Sequence, residues 1–424
     1  MRRFLPFLAL LAATPAAAEP VLIAVGKIEG TADLSAATAA PLESGVAGNK
    51  LGGIGSAFDW AGGDSFLALP DRGPNADVYN AAIDNTTSYM PRFHTLTAKL
   101  TPATGALSYA LDIRLTATTL LYSPTALSYG AAPVIRLNDK THFYFTGRSD
   151  AFGAGSSTDP VNARFDPEGL RRSKDGKSVF ISDEYGPNIY RFDAATGERT
   201  AAITLPDGFA ATHLAPTGET EIAANPVGRI ANKGMEGLAI TPDGQTLIGI
   251  MQSPLAQDGG VAAGVTRIVA IDIASGNTMQ YAYPLTNLGT AEKPKYPGIS
   301  EILAVNDHVV LVDERDGKGL GDDSKAAFKR LYRVDLSTAP VLGDASGETA
   351  LAARAATKTL FLDVVAAAGA AGIDPAHIPA KIEGVTFGPD IDGKHTLWLA
   401  SDNDFLKDPC EVLVFSFTDA DLTQ

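Results

Sequence analysis

Residues 165–193 read FDPEGLRRSKDGKSVFISDEYGPNIYRFD, and the order of residue types along them decides the fold. An apolar run headed by Glu168-Gly169 leads to Asp175-Gly176, a pair that tolerates the positive φ of a tight hairpin. A second apolar run ends in Asp183-Glu184, and a third, IYRFDAATGE from 189, alternates as a half-buried strand does. The outline recurs in KGMEGLAITPDGQTLIGIMQSP from 233, GISEILAVNDHVVLVDERDG from 298 and KIEGVTFGPDIDGKHTLWLASDND from 381. Two of these turns again carry Asp-Gly (Asp243-Gly244, Asp392-Gly393), and the other uses Asn306-Asp307. Third strands follow in TRIVAIDIASGN from 266, RLYRVDLSTA from 330 and EVLVFSF from 411. Strand, hairpin, strand, loop, strand, repeated, is the outline of propeller blades.

Two earlier stretches fit the same outline less regularly. LGGIGSAFDWAGGDSFLALPDRGPN from 51, continued by RFHTLTAKLTPATG from 92, has Gly55 where the other units have Glu. SPTALSYGAAPVIRLNDKTHFYFTGRSD from 123 would be a further unit, with Arg148-Ser149-Asp150 matching Asp183-Glu184. The sequence is therefore read as all-β, a six-bladed β-propeller with long inter-strand loops, forming a single domain over residues 19–424. Six units give about 68 residues each, well beyond a compact blade of about 40–45. The excess belongs in loops such as 73–91, 254–264 and 316–329. VLIAVGKIEG from 21 is expected to pair with the last blade and close the ring, and TLFLDVVAAAGAAG from 359 to form an inserted helix.

The first residues, MRRFLPFLALLAATPAAA, combine two arginines, an apolar run and a small-residue site, the pattern of a secretory signal peptide over residues 1–18. The run is too short for a membrane span, and no later stretch approaches the length one needs. A periplasmic or secreted chain is expected, without an integral membrane segment after cleavage. Loss of Arg2 and Arg3 takes the formal net charge from −15 to −17. A surface that acidic repels nucleic acid and anionic lipid, which excludes nucleic acid as a partner. Cys410 is the only cysteine, so no intrachain disulfide can form, and it is read as a small apolar residue of a late strand. A monomer is expected.

Carboxylates at strand ends do nothing for a core, and a propeller supplies the reason for them. Inner strands of all blades run the same way, and the start of one strand lies beside the end of its antiparallel neighbour. Glu168, Glu236, Glu301 and Glu383 at strand starts, with Asp183, Glu184, Asp313, Glu314, Asp402 and Asp404 at the following strand ends, should therefore share one rim. So many carboxylates repel one another unless cations, protons or basic side chains neutralise them. Oxygen donors in that number suit calcium, which takes 6–8 of them, rather than zinc, which wants His or Cys. The alternative for each glutamate is a strand-end cap bonded to backbone N–H groups, with no ligand. Gln252-Ser253 breaks the symmetry of the ring.

Cationic candidates at the rim are Arg72, Arg92, Arg148, Lys233, Arg315 and Lys381. Arg72 and Arg148 rank first because they end the second strands of their units, and His94 is the histidine offered as a general base. Serine-hydrolase, His-Glu-x-x-His and Ser-x-x-Lys patterns are absent from the sequence.

Together the blocks RFDPEGLRRSKDGKSVFISDEYGPNIYRFD, NKGMEGLAITPDG…MQSPL, SEILAV…DERDG…KRLYRVDL and KIEGVTF…DNDF resemble the phytase-like family, described as having esterase-like activity of phytase. The resemblance spans essentially the whole chain after the signal segment. It implies a propeller related to the calcium-dependent alkaline phytases and hydrolysis of phosphate or carboxylic esters of a small anionic molecule. A calcium-stabilised propeller that only binds a ligand or protein, and a lactonase using one divalent ion at a four-residue centre, remain open beside it.

Overall fold

The hairpins expected around residues 175, 243, 306 and 392 all form, and in every blade but the last the two strands so joined are completed by the two that follow. In the computed structural model, which describes residues 19–422, five antiparallel four-stranded sheets succeed one another along the chain. Blade 1 comprises Ala57–Gly62, Ser65–Leu69, Arg92–Pro102 and Tyr109–Leu120. Blade 2 comprises Pro167–Arg172, Ser178–Asp183, Asn188–Asp193 and Arg199–Thr204. Blade 3 comprises Met235–Ile240, Thr246–Met251, Val265–Asp272 and Thr278–Pro284. Blade 4 comprises Gly298–Ala304, Val309–Arg315, Lys329–Asp335 and Lys358–Asp363. Blade 5 is closed as expected: Lys381–Ile391, Lys394–Asp402 and Cys410–Phe417 receive Val21–Ile28 from the other end of the chain as the fourth strand. The expected signal segment, 1–18, lies outside the described residues.

The propeller has five blades, which corrects the expectation of six. The five first strands pack side by side in a closed circle, with that of blade 1 directly against that of blade 2, so no inner strand stands between them. The stretch from 123 contributes only a two-stranded sheet, Tyr122–Ser123 with Phe143–Tyr144. Pro124, Gly130, Pro133, Gly147, Gly153 and Pro160 interrupt it too often for four strands. Its apolar residues instead wedge between blades 1 and 2, with Leu121, Tyr129, Phe145 and Phe165 joining Leu67, Phe93, Ile181 and Phe192 in one core. The helix expected from 359 is also shorter. Residues Lys358–Asp363 are the outer strand of blade 4, and the helix occupies Val364–Ala370, capped by the Asp363 side chain on Ala366 N–H at 3.0 Å. Cys410 is buried in blade 5, where burial pushes its thiol up to about 12.

The glycine of the Glu-Gly pair sets the closeness of the inner circle. A Cβ on Gly237 would stand 2.6 Å from Ile302 N and 2.8 Å from Glu301 C, and one on Gly384 would stand 2.8 Å from Phe58 N. These are backbone atoms of the neighbouring blade and cannot rotate away. Gly237→Ala should cost about 1–3 kcal/mol, measurable as a fall in the urea midpoint; an unchanged midpoint would contradict so tight a circle.

The axis itself is plugged. Arg171, 1% exposed, donates to the carbonyls of Phe58, Leu170, Ile302 and Val385, which belong to the inner strands of four blades, at 2.7–3.1 Å. It also pairs with Glu301 at 2.9 Å. What remains of the channel is a depression at one end, rimmed by the strand starts and by the connections between second and third strands.

Candidate functional site at the propeller mouth

In three inner strands the glutamate of the Glu-Gly pair falls at a β-bulge, a place where an extra residue re-aims a side chain. The pairing shifts between Pro167 and Leu170, between Met235 and Gly237, and between Ile382 and Gly384. Glu168, Glu236 and Glu383 there line a cavity of about 410 Å³ at the mouth. In blade 4 the shift lies between Ile299 and Glu301, so Ser300 holds the glutamate position and Glu301 the glycine position. That one-residue offset sends Glu301 to the axis, where its Oε1 accepts from Leu238 N–H and Ile302 N–H, both at 2.9 Å. Glu301 is a structural ion-pair partner and leaves the expected ring.

Register also sorts the strand-end acids. Asp183 pairs with Pro167, Met251 with Met235 and Ser401 with Ile382, so the next residues, Glu184, Gln252 and Asp402, hold equivalent places and line the cavity. In blade 4 that place belongs to Arg315, since Glu314 pairs with Ile299. Asp183 turns inward and accepts from Asp166 N–H and Tyr185 N–H at 3.1 Å. Asp313 is buried beneath the mouth, and Glu314 bonds Tyr283, at 2.8 Å, and Lys358. Asp404 reaches the mouth from the loop after Asp402.

His94 and Arg148 are not brought to the mouth. His94 is fully buried in the third strand of blade 1, its Nδ1 3.0 Å from Thr118 Oγ1, and burial pulls its pKa down to about 4. Arg148 spends its guanidinium on Asp150, at 2.7 and 2.9 Å, and on Glu43 at 3.3 Å. Arg92 is buried against Asp33. Arg72 does line the mouth, as do Lys233, Arg315 and Lys381. The sequence reading passed over Asp71 and Asp166. Asp71 immediately precedes Arg72, and Asp166 stands two residues before Glu168; both signals lay in stretches already quoted.

The side chains form an interlocked network. Arg72 pairs with Asp166 and, at 3.5 Å, with Glu184, whose other oxygen accepts from Gly234 N–H at 3.2 Å. Arg315 pairs with Glu383 and donates to Ser300 Oγ at 2.8 Å. Lys381 pairs with Asp404, and Lys233 holds Gln252, which donates to Glu236 Oε1 at 2.6 Å. Glu236 Oε2 is buried with no partner among the described residues. Two clusters, Asp71 with Asp402 and Asp404, and Asp166 with Glu168 and Glu184, each gather one oxygen per residue within 4.8 Å.

Burial, followed by neighbouring carboxylates, dominates the protonation of these groups. It pushes Glu184 and Asp71 up to about 7, each further raised by Asp166. Glu168 is driven well above its ordinary range by burial and then Glu236, Glu236 by burial and then Glu184, and Asp402 by burial and then Asp404. Burial opposes the charge on Lys381, but Glu383, Asp402 and Asp404 outweigh it and keep the lysine charged.

The donor set fits a hard divalent cation. All of the concentrated donors are oxygens, no His or Cys lines the cavity, and one buried carboxylate oxygen stands unpartnered. A pH dependence follows. Without a cation, Glu184 and Asp71 keep protons up to about pH 7 in the folded chain, but only to about pH 4 when unfolded. The folded state therefore binds more protons in that window, and this contribution to stability is full below it and lost as pH rises through about 7. In chelator the melting temperature should fall between pH 5 and pH 8, and added calcium should remove most of the fall. A melting temperature that rises across this range in chelator would contradict the crowding.

A family model described as Phytase-like, esterase-like activity of phytase, matches residues 49–405. A protein of Arthroderma benhamiae described as an uncharacterized secreted protein is 29% identical over 326 residues, which cover 67% of this chain and 62% of that one. The chain thus spans less than two thirds of that relative's length. Among solved structures, a periplasmic gluconolactonase of Pseudomonas aeruginosa matches at TM-score 0.32 and 10% identity, over 86% of each chain. The β-propeller domain of Cps50 (Swd1) from Myceliophteria thermophila matches at TM-score 0.32 and 8% identity, over 86% of this chain and 83% of that one. Structural likeness at this level carries no argument about chemistry. No helix among the described residues is long and apolar enough to cross a membrane.

Proposed function

Because the chain belongs to the phytase-like family, esterase-like activity of phytase, we propose that it is a secreted or periplasmic, calcium-dependent hydrolase of phosphate or carboxylic esters that works at the propeller mouth. The observation that carries this reading is the carboxylate-lined cavity with a buried, unpartnered Glu236 Oε2 and cationic side chains interleaved among the acids. The residues to hold calcium are Asp71, Asp402 and Asp404 in one cluster and Asp166, Glu168 and Glu184 in the other. A divalent cation there supplies Lewis-acid polarisation of an ester oxygen and a lowered pKa for water.

The chain's own groups do the rest. Arg72 and Arg315, held by Asp166 and Glu383, present fixed positive charge to an oxyanion that develops at phosphorus or carbonyl carbon. Glu236 Oε2 would take the proton of the attacking water once a cation in the mouth, by offsetting Glu184 and Glu383, favours its ionised form. Lys233, through Gln252, fixes the orientation of that carboxylate. Two clusters of three carboxylates support the ester reading over a lactonase centre of four ligands around one ion.

The test is hydrolysis of p-nitrophenyl phosphate, phytate and p-nitrophenyl acetate by the purified protein, with calcium and with chelator. Turnover of at least one of them only with calcium is expected, and the preferred one names the ester class. No turnover of any in either condition would overturn the reading in favour of a binding propeller.

A further inference from the structure

Beside the mouth, and sharing Arg72 and Asn232 with it as lining, lies a second cavity of about 300 Å³. Its lining sets three arginines, Arg72, Arg164 and Arg229, against Asp84, Glu219 and Glu221, and of these acids only Glu221 is buried. Arg164 and Arg229 line it, 2% and 3% exposed, and share a single buried carboxylate: Arg164 Nη2 donates to Glu221 Oε2 at 3.1 Å and Arg229 Nη2 to Oε1. Their other bonds go to backbone carbonyls, Arg229 Nε to Tyr185 O at 2.8 Å and Arg164 Nη1 to Ser149 O at 3.3 Å. Arg164 Nε, Arg229 Nη1 and Arg72 Nε remain buried with no partner among the described residues. Of the other acids on the wall, Asp84 is engaged by Gly218 N–H at 2.6 Å and Glu219 is exposed.

Among the buried groups of this wall, two guanidiniums face one carboxylate, and the positive charge left over, which water does not solvate, is costly unless an anion arrives. The planar fork of arginine matches carboxylate and phosphate oxygens. The Tyr185 ring, with Arg72 at 5.8 Å and Arg164 at 5.0 Å from its centroid, spaces the mouth from this cavity.

We propose that the Arg164–Arg229 cavity is an oxyanion subsite, which takes a carboxylate or phosphate group of the substrate while the scissile ester lies in the mouth. Preferred substrates then carry a second anionic group near the ester. The assignment to substrate rests on the proposed hydrolase activity, whereas anion binding by the cavity does not.

The test is calorimetric titration of inorganic phosphate, and separately of acetate, into the full chain in chelator. One-to-one binding of at least one of them is expected, and the tighter of the two identifies the group accommodated. Arg164→Gln should weaken that binding at least tenfold. Ala231→Glu, which places a carboxylate on a half-exposed stretch of the wall, should do the same without touching the buried network, and it decides the matter should the arginine variant not fold. No binding of either anion by the wild type, or equal binding by Ala231→Glu, would overturn the proposal. Phosphate binding without turnover of any ester would remove the hydrolase reading and leave the subsite. Calcium-dependent turnover without anion binding would do the reverse.

Discussion

Arg171→Met is expected to cost about 3–5 kcal/mol of stability, because it strands the buried Glu301 carboxylate and four carbonyl groups on the propeller axis. No other side chain described here bonds the inner strands of four blades at once. The reason lies in the five-fold geometry. Five inner strands packed at glycine distance leave a channel too narrow for a ring of charges, yet wide enough for one guanidinium whose donors point outward to strand carbonyls. Burial pushes Glu301 up to about 8 against the pull of Arg171 and of the Leu238 and Ile302 N–H groups. That carboxyl already favours its protonated form at neutral pH, and without the arginine it would hold the proton more tightly still. Arg171→Met combined with Glu301→Gln should therefore recover part of the loss, since glutamine still accepts both N–H bonds without a charge. Urea unfolding of the two variants measures this. A single variant within 1 kcal/mol of wild type, or a double variant no better than the single, would contradict the axial plug.

Glu236→Gln is expected to separate activity from stability. If Glu236 Oε2 takes the proton from water, the change should lower kcat by about 10²–10³-fold, the range seen when one preorganised group is removed, with a smaller effect on KM. The same change removes a carboxyl whose ionised form burial and then Glu184 and Glu383 oppose. In chelator the variant should melt at a higher temperature than wild type. Rate assays in calcium and melting curves in chelator give both readouts on one preparation. A variant of unchanged kcat would assign the proton to another residue, and a variant less stable in chelator would show that the carboxylate serves the fold.

How much of this was legible in the sequence can be read residue by residue. Repetition gave the blades, because hairpin turns and strand alternation are local properties that tertiary contacts seldom override. The closing strand was legible for the same reason. Blade number was not: the stretch from 123 has apolar runs of strand length, and only the direct packing of Pro167–Arg172 against Ala57–Gly62 shows that they form a wedge. Glu168, Glu236, Glu383, Glu184, Asp402 and Asp404 were found at the mouth because repeats in register place equivalent residues together. Asp313 stands two residues before Arg315 and so lies deeper on the same strand, whereas Glu301, Asp183 and Glu314 failed for one shared reason. Side chains of a strand alternate faces, so an alignment wrong by one residue, as between SEIL and MEGL, sends a carboxylate to the opposite side. Asp166 and Asp71 went unnoticed because each stands just outside the strand that defined its repeat.

The most direct test of a cation-dependent hydrolytic mouth is a calcium titration in which heat of binding and rate of ester hydrolysis are followed on the same metal-stripped sample, for wild type, Glu168→Gln and Asp402→Asn. Calcium is expected to bind wild type, each variant to bind it at least tenfold more weakly as one cluster loses a charged ligand, and the rate to rise in step with calcium bound. Hydrolysis at full rate in the metal-stripped wild type, or calcium binding that neither variant weakens, would contradict it.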